Sequence, residues 1–317
     1  MYSALLIQKS TFVKGYLCCY YRSVRVFFVK GGLRMREEDI ALEHKDELSG
    51  NLKKLGSRLS EYLFSNLYLF RDKHDHKVIF DKVLFIEGKT YDECTYIMPM
   101  VDLTLLDIDY LKEIAAHVDF IFPVEEHLIE YFENHGGKTY FTEGDTDYIY
   151  TVDKLSTFKG RKLHKKRNLL KQFKSMYRSE AKILSVSYKD DALNILDIWL
   201  SDVQEKKENT DYEACFEALN LMSELNLCGV IYYVDMEPAG FIMGEEITRD
   251  TFVVHFAKGK RKFKGIYQFI YNNFAKRLEE KYSYLNFEQD LGKMALKIAK
   301  SSYIPDELLK KYRISFK

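Results

Sequence analysis

Residues 228–265, CGVIYYVDMEPAGFIMGEEITRDTFVVHFAKGKRKFKG, hold three runs of β-branched and aromatic residues and then a lysine-rich loop. Turn signals at Asp235–Pro238 and Thr248–Asp250 part the runs, so the stretch predicts an antiparallel meander of three strands. The loop leads into IYQFIYNNFAKRLEEK (266–281), a helical pattern. A strand (YSYLNFEQD, 282–290), a helix (LGKMALKIAKSS, 291–302) and a last strand (YRISFK, 312–317) follow.

Upstream, two helices are expected, over ALNILDIWLSDVQEK (192–206), which holds the single tryptophan Trp199, and over EALNLMSELN (217–226). Before them stands TFKGRKLHKKRNLLKQFK (157–174), with eight Lys or Arg, one His and no carboxylate. Leu169, Phe173, Met176 and Tyr177 fall on one helical face there, which leaves the cations on the other. The chain as a whole is neutral, but residues 37–156 are net −14 and residues 157–317 net +7. Such an asymmetry marks two units, the second suited to an anion.

The first half predicts acidic helical turns in REEDIALEHKDEL (36–48) and one amphipathic helix from about 52 to 70, with Leu52, Leu55, Leu59, Leu63, Leu67 and Phe70 on its inner face. Two short strands are expected in HKVIFDKVLFIEG (76–88), a third in TYIMPM (95–100), and another in DFIFPV (119–124). Helices are expected at 103–118 and 125–137, and KTYFT (138–142) and DYIYTV (147–152) close this half. Residues 1–36 carry seven basic and no acidic side chains and fit neither half. They read as an extension outside the native protein, with Met35 as the start, or as a basic arm contacting an anionic membrane surface.

Several classes are excluded on composition. No apolar run approaches the roughly 20 residues of a membrane-spanning helix, and no signal-peptide pattern opens the chain. Cys18, Cys19, Cys94, Cys215 and Cys228 show no CxxC pairing and no disulfide-scaffold spacing, so they read as thiols of a reducing compartment, the cytoplasm. His74 and His76 with Asp72 and Asp75 lack a third ligand, and no metal site is expected. No helix-turn-helix or RNA-stacking signature accompanies the charge, so sequence-specific DNA binding is not expected.

The segments LSTFKGRKLHKKRNLLKQF (155–173), EPAGFIMGE (237–245), TFVVHFAKGKRKFKGIYQ (251–268) and NFEQDLG…ALKIAKSSYIP (286–305) together resemble the bacterial family named for the C-terminal domain of phosphatidylglycerol lysyltransferase, related to the Fem-type aminoacyl transferases. The resemblance covers roughly residues 37 to 317. It implies an α/β chain of two tandem GNAT-like acyltransferase domains, with mixed, mostly antiparallel sheets flanked by helices, here expected as 37–154 and 155–317. It also implies an acyl or aminoacyl transferase whose donor carries phosphate, and whose acceptor is an amine or hydroxyl. Aminoacyl-tRNA and acyl-CoA are the two candidate co-substrates, with aminoacyl-tRNA favoured, and no permanently bound cofactor is expected. The alternative is a non-catalytic binding protein that keeps the fold.

The loop Lys258–Gly265 is the first candidate site. Lys258, Lys260, Arg261, Lys262 and Lys264 raise the potential at a helix start whose N–H groups, with Gly265, suit a phosphate, and a solvated basic turn is the other reading. In ordinary GNAT proteins a Gln or Arg, two residues, Gly, one residue, and Gly or Ala occupy this place. Here Lys262, Gly265 and Tyr267 fall on those positions, and the bulk of Tyr267 speaks against coenzyme A. The Fem-type resemblance adds Arg161, Lys165 and Arg167 as phosphate ligands, and ion pairs with the acidic half are the competing use. For proton transfer, alternation in FVVHFAK puts His255 opposite Phe252, Val254 and Phe256, looking out into a cleft or solvent. Glu288 is a second candidate base. Tyr303 follows its helix where many GNAT proteins place a tyrosine that protonates the leaving group. Asp290 reads as an N-cap.

Overall fold

The computed structural model describes residues 4–13, 16–28 and 34–317, with side chains from Arg36 onward. The side chains of the basic extension, and with them the expectations of a late start and a lipid-facing arm, lie outside the described residues. Two compact units divide the chain. The expected boundary at 154/155 gives way to an interleaved arrangement: residues 1–55, 70–141 and 311–317 form one unit, and 56–69 with 142–310 form the other.

The first unit is built on a nine-stranded sheet. From edge to edge it runs Ala4–Val13, Tyr16–Phe28, Arg34–Asp39, Lys77–Phe80, Leu84–Lys89, Thr95–Pro99, Phe120–Val124, Tyr312–Ser315 and Lys138–Phe141. Among the described residues, only Thr95–Pro99 and Phe120–Val124 pair in parallel in this sheet. The last strand of the chain belongs here because it pairs with Phe120–Val124 on one side and Lys138–Phe141 on the other. Helix Ile108–Ala115 is started by Asp107, whose side chain accepts from the Tyr110 amide at 2.9 Å. Its Leu111 and Ile114 pack with Phe85, Ile97, Ile121, Phe132 and Ile314 into one core.

Two sequence expectations fail in this region. Residues 34–39 form a strand rather than a helical turn, and helix Lys45–Leu55 does not continue to 70. It stops because Gly56 takes φ +63°, a left-handed value that glycine reaches without penalty. The apolar spacing beyond it belongs to a single 3-10 turn, Ser60–Tyr62, and a second helix, Phe64–Leu69, both in the other unit.

The second unit holds a seven-stranded sheet in the order Ser179–Ile183, Cys228–Val234, Glu237–Thr248, Thr251–Gly259, Tyr284–Asn286, Asp147–Thr151, Glu307–Leu309. The antiparallel meander is present, and its register demands glycine: a Cβ on Gly244 would stand 1.8 Å from the Val253 carbonyl oxygen. The edge strands Ser179–Ile183 and Glu307–Leu309 were not legible as strands, being short and half polar. Thr251–Val253 pairs in parallel with Tyr284–Asn286. Past Val253 the longer strand is paired on one side only, because its neighbour ends at Asn286.

Helix Ile266–Leu278 covers this sheet with Phe269, Ile270 and Phe274, and the cationic helix His164–Met176 packs against it through Leu170 and Phe173. Phe173 stacks on Phe269 at 4.5 Å. The inner face is therefore one residue off the expected one: Leu169 is half-buried and Met176 is 56% exposed. Gly265 starts the covering helix at φ +87°, and a Cβ there would meet the Leu169 carbonyl oxygen at 2.7 Å. Gly265→Ala is expected to cost about 1–3 kcal/mol, read as a lowered urea midpoint with unchanged slope. A midpoint within error of the parent would show that the two helices separate freely.

Candidate active site

His255 sits on the strand face away from helix Ile266–Leu278, as alternation requires, yet its side chain is fully buried instead of looking out. The segment 56–69 covers it: Ser65 Oγ lies 3.2 Å from Nε2. Nδ1–H donates to Glu288 Oε1 at 2.7 Å, and Nε2–H to Glu245 Oε1 at 3.1 Å. Burial by itself would push the imidazole pKa down. The charge of Glu288 and the hydrogen bonds to Glu245 and Glu288 outweigh it and carry the pKa up to about 10. The two carboxylates therefore favour the protonated imidazolium over a free base at His255.

Glu288 is held from several directions. Asn66 Nδ2 donates to the same Oε1 at 3.0 Å, and the Glu288 amide donates to Asn286 Oδ1 at 2.6 Å. Asn286 is itself anchored by donating to the Arg58 carbonyl and to Asp147 Oδ2, each at 2.9 Å. These contacts keep Glu288 at φ +58°, a left-handed value that is costly for a residue with a Cβ. Oε2 makes none of these bonds, and the side chain retains 14% exposure. Glu245, at 16%, is comparable. The result is a partly accessible pair of carboxylates bridged by one buried cation. Asp290 is no N-cap, since its helix, Met294–Ser301, begins four residues later. It accepts from Tyr148 Oη at 2.7 Å and from the Gly292 amide at 2.8 Å.

Three lysines of the loop are already engaged in ion pairs. Lys258 Nζ donates to both Asp211 oxygens at 2.6 and 2.8 Å and lies 3.5 Å from the centre of the Trp199 ring. Lys260 donates to Asn194 Oδ1 and Glu237 Oε1, and Lys262 to Glu237 Oε2. The Arg261 amide and guanidinium both bond Asp202. Lys264 is exposed with no carboxylate partner among the described residues, and the guanidinium of the exposed Arg261 reaches the Asp202 main-chain carbonyl rather than its carboxylate. Tyr267 is half-buried beside Tyr271, and burial pushes its phenol up to about 12 against the opposing effect of the Gly259 backbone. Tyr271 in turn packs on Phe287 at 4.9 Å and Tyr303 at 5.2 Å.

In the cationic run, Arg167 is structural. Its guanidinium donates to the carbonyls of Phe158 and Gly160, closing the end of helix Val152–Thr157. Lys166, which sequence reasoning passed over, bonds Ser302 Oγ at 2.7 Å and lies 3.8 Å above the Tyr303 ring. Tyr303 is buried, and its hydroxyl accepts from Gln268 Nε2 at 2.9 Å. Burial raises its pKa, with the Gln268 bond opposing. Arg161, Lys162, Lys165, Lys171 and Lys174 are exposed and have no carboxylate partner among the described residues. The run and the loop thus abut, through Leu169, Phe173 and Gly265, but the free charge stays on the outer face of the run.

Glu245, Ser65, Asn66, Lys166 and Gln268 were missing from the sequence reading. Only Glu245 left a signal, as a carboxylate three positions before the meander's second turn.

A conserved protein of unknown function from Bacteroides thetaiotaomicron is 28% identical, with a TM-score of 0.77 over 89% of this chain and 99% of its own. The structure of L-PGS from Bacillus licheniformis shares the fold at 14% identity, with a TM-score of 0.58 over 85% of this chain and 91% of that one. An uncharacterised protein of Mycoplasmoides gallisepticum is 25% identical over 223 residues, 68% of this chain and 70% of its own. Residues 52–315 match the model of the phosphatidylglycerol lysyltransferase C-terminal family, and the chain belongs to that family.

Proposed function

We propose that the protein transfers an aminoacyl group from a charged tRNA to an amine or hydroxyl acceptor. The family and fold support an aminoacyl or acyl transferase. What favours tRNA over acyl-CoA is the state of the helix start at Gly265. Lys258, Lys260 and Lys262 are engaged by Asp211 and Glu237, and Tyr267 stands where a pyrophosphate would need backbone. Lys165, Lys171 and Lys174, unpaired among the described residues, lie along the exposed side of helix His164–Met176, a stripe suited to a nucleic-acid backbone.

Glu288 Oε2 serves as the base. It takes the proton of the acceptor as the acceptor's nitrogen or oxygen bonds the aminoacyl carbon. The ester bond to the tRNA then breaks, and the proton passes to the released tRNA hydroxyl. His255 and Asn66 position that carboxylate.

Filter binding of charged tRNA over a salt series tests the reading. Affinity is expected to fall steeply with salt. Reversing three cations, Lys165→Glu, Lys171→Glu and Lys174→Glu, is expected to weaken binding about tenfold or more and to flatten the salt slope. Salt-independent or absent binding, alongside turnover of labelled acetyl-CoA, would overturn it. Binding without any transfer would favour a non-catalytic role.

A further inference from the structure

Strand Ser179–Ile183 forms one edge of the seven-stranded sheet. The Asp235 amide donates to the Arg178 carbonyl at one end of it and the Leu184 amide to the Gly229 carbonyl at the other, so residues 180 and 182 between them face the neighbouring strand Cys228–Val234. Ser179, Ala181 and Ile183 therefore turn their amide and carbonyl groups outward. Arg277 Nη2 donates to the outer Ala181 carbonyl at 3.3 Å, and a carbonyl oxygen accepts two such bonds, so the edge stays open to a further strand.

The charges on this edge decide which strand fits. Lysine on an exposed edge ordinarily opposes pairing with a second copy. Here SEAKI laid antiparallel on itself about Ala181 sets Glu180 opposite the partner's Lys182, and symmetry repeats the pair. Both side chains rise on the Tyr233 face, since Glu180 is opposite Tyr233 and Lys182 Nζ lies 4.9 Å from the centre of that ring. Within one chain the two meet only at 3.5 Å, with the Glu180 side chain 65% exposed. Apolar surface stands at both ends of the strand. Ile183 (72% exposed) and Val186 (67%) lie at one end, and Met176 (56%) and Met236 (94%) at the other, Met236 following the Asp235 that bonds Arg178. Antiparallel pairing brings each of these ends to the opposite end of the second copy.

We infer that strand Ser179–Ile183 pairs antiparallel with the same strand of a second copy of this chain, joining two seven-stranded sheets across a two-fold axis at Ala181. This inference does not depend on the donor or on the transfer reaction.

Light scattering of the full chain over a concentration series tests it. The parent is expected to be a dimer. Lys182→Glu sets carboxylate against carboxylate at both pairs and Glu180→Lys sets ammonium against ammonium, so each alone is expected to raise the dissociation constant about tenfold or more. Mixed in equal amounts, the two variants are complementary again, and a dimer is expected to return. Ala181→Pro removes an outward N–H and no bond of the internal ladder, so it too is expected to favour monomers. Should the proline unfold the chain, the charge variants and their mixture carry the same readout, with circular dichroism checking their fold. A parent that stays monomeric throughout the series, charge variants that dimerise as tightly as the parent, or a mixture that does not restore the dimer would overturn the inference.

Discussion

Glu288→Gln is expected to slow aminoacyl transfer about 10²–10⁴-fold, the usual worth of a positioned general base, with affinity for charged tRNA largely unchanged. The amide keeps the size of the side chain and can still accept from His255 and Asn66 through its oxygen, so the geometry around Oε1 survives. It loses the ability to take a proton at Oε2. Single-turnover transfer from labelled aminoacyl-tRNA, read beside filter binding, separates the two effects. A rate within about tenfold of the parent would remove Glu288 as the base. Equal losses of binding and rate would instead place the residue in donor recognition. His255 does not substitute for it, because an imidazolium pinned by two carboxylates has no lone pair to offer at neutral pH.

The fold of the second half was legible because its signals are local. Period-two runs with turn residues between them specify the meander, and the loop–helix junction at Gly265 follows from glycine and the onset of helical spacing. What escaped was non-local. Nothing in GSRLSEYLFSNLYLF announces that it leaves one unit and joins another, because leucines at three- and four-residue steps fit one continuous helix as well as two short ones. Only Gly56 carried the break. The last strand likewise reads as a strand from YRIS, but its partners lie near residues 121 and 140, a pairing no pattern in the chain encodes.

The candidate site divides on the same line. The residue types at 255 and 288 were recognisable as proton carriers, and Gly265 and Tyr267 as the features of the helix start. Their states were not recognisable, since each depends on neighbours far along the chain. Asp211 binds Lys258, and Glu237 is shared by Lys260 and Lys262, which turns part of an apparent anion hole into internal ion pairs. Ser65 and Asn66 arrive from about 190 and 222 residues away to close over His255 and Glu288. A basic loop in a sequence is a statement about charge supplied. Whether any of it is left for a ligand depends on where the carboxylates fold.

The second large effect concerns stability. His255 is held up to about pKa 10 in the folded chain, against its ordinary value near 6.5, because Glu288 and Glu245 flank it. A raised pKa means that the stabilisation is fully present below about pH 6.5, declines as the pH rises, and is gone once the pH passes about 10. The amount at stake is of order a few kcal/mol, a large share of the stability of an ordinary domain. Urea midpoints measured from about pH 6 to about pH 10 are therefore expected to fall steadily in the parent. His255→Gln removes the titrating group and leaves two carboxylates facing each other, so it is expected to cost about 3–5 kcal/mol near neutral pH. Its stability should then change much less across the same window. Lysines and the buried tyrosines titrate in both proteins, so the difference between the two curves isolates the histidine. Adding Glu245→Gln to the variant removes one of the opposed charges and is expected to recover part of the loss. Parallel curves for parent and variant would mean that the imidazole is neutral in the fold. The assignment of the proton to His255, and of the base to Glu288, would then have to be exchanged.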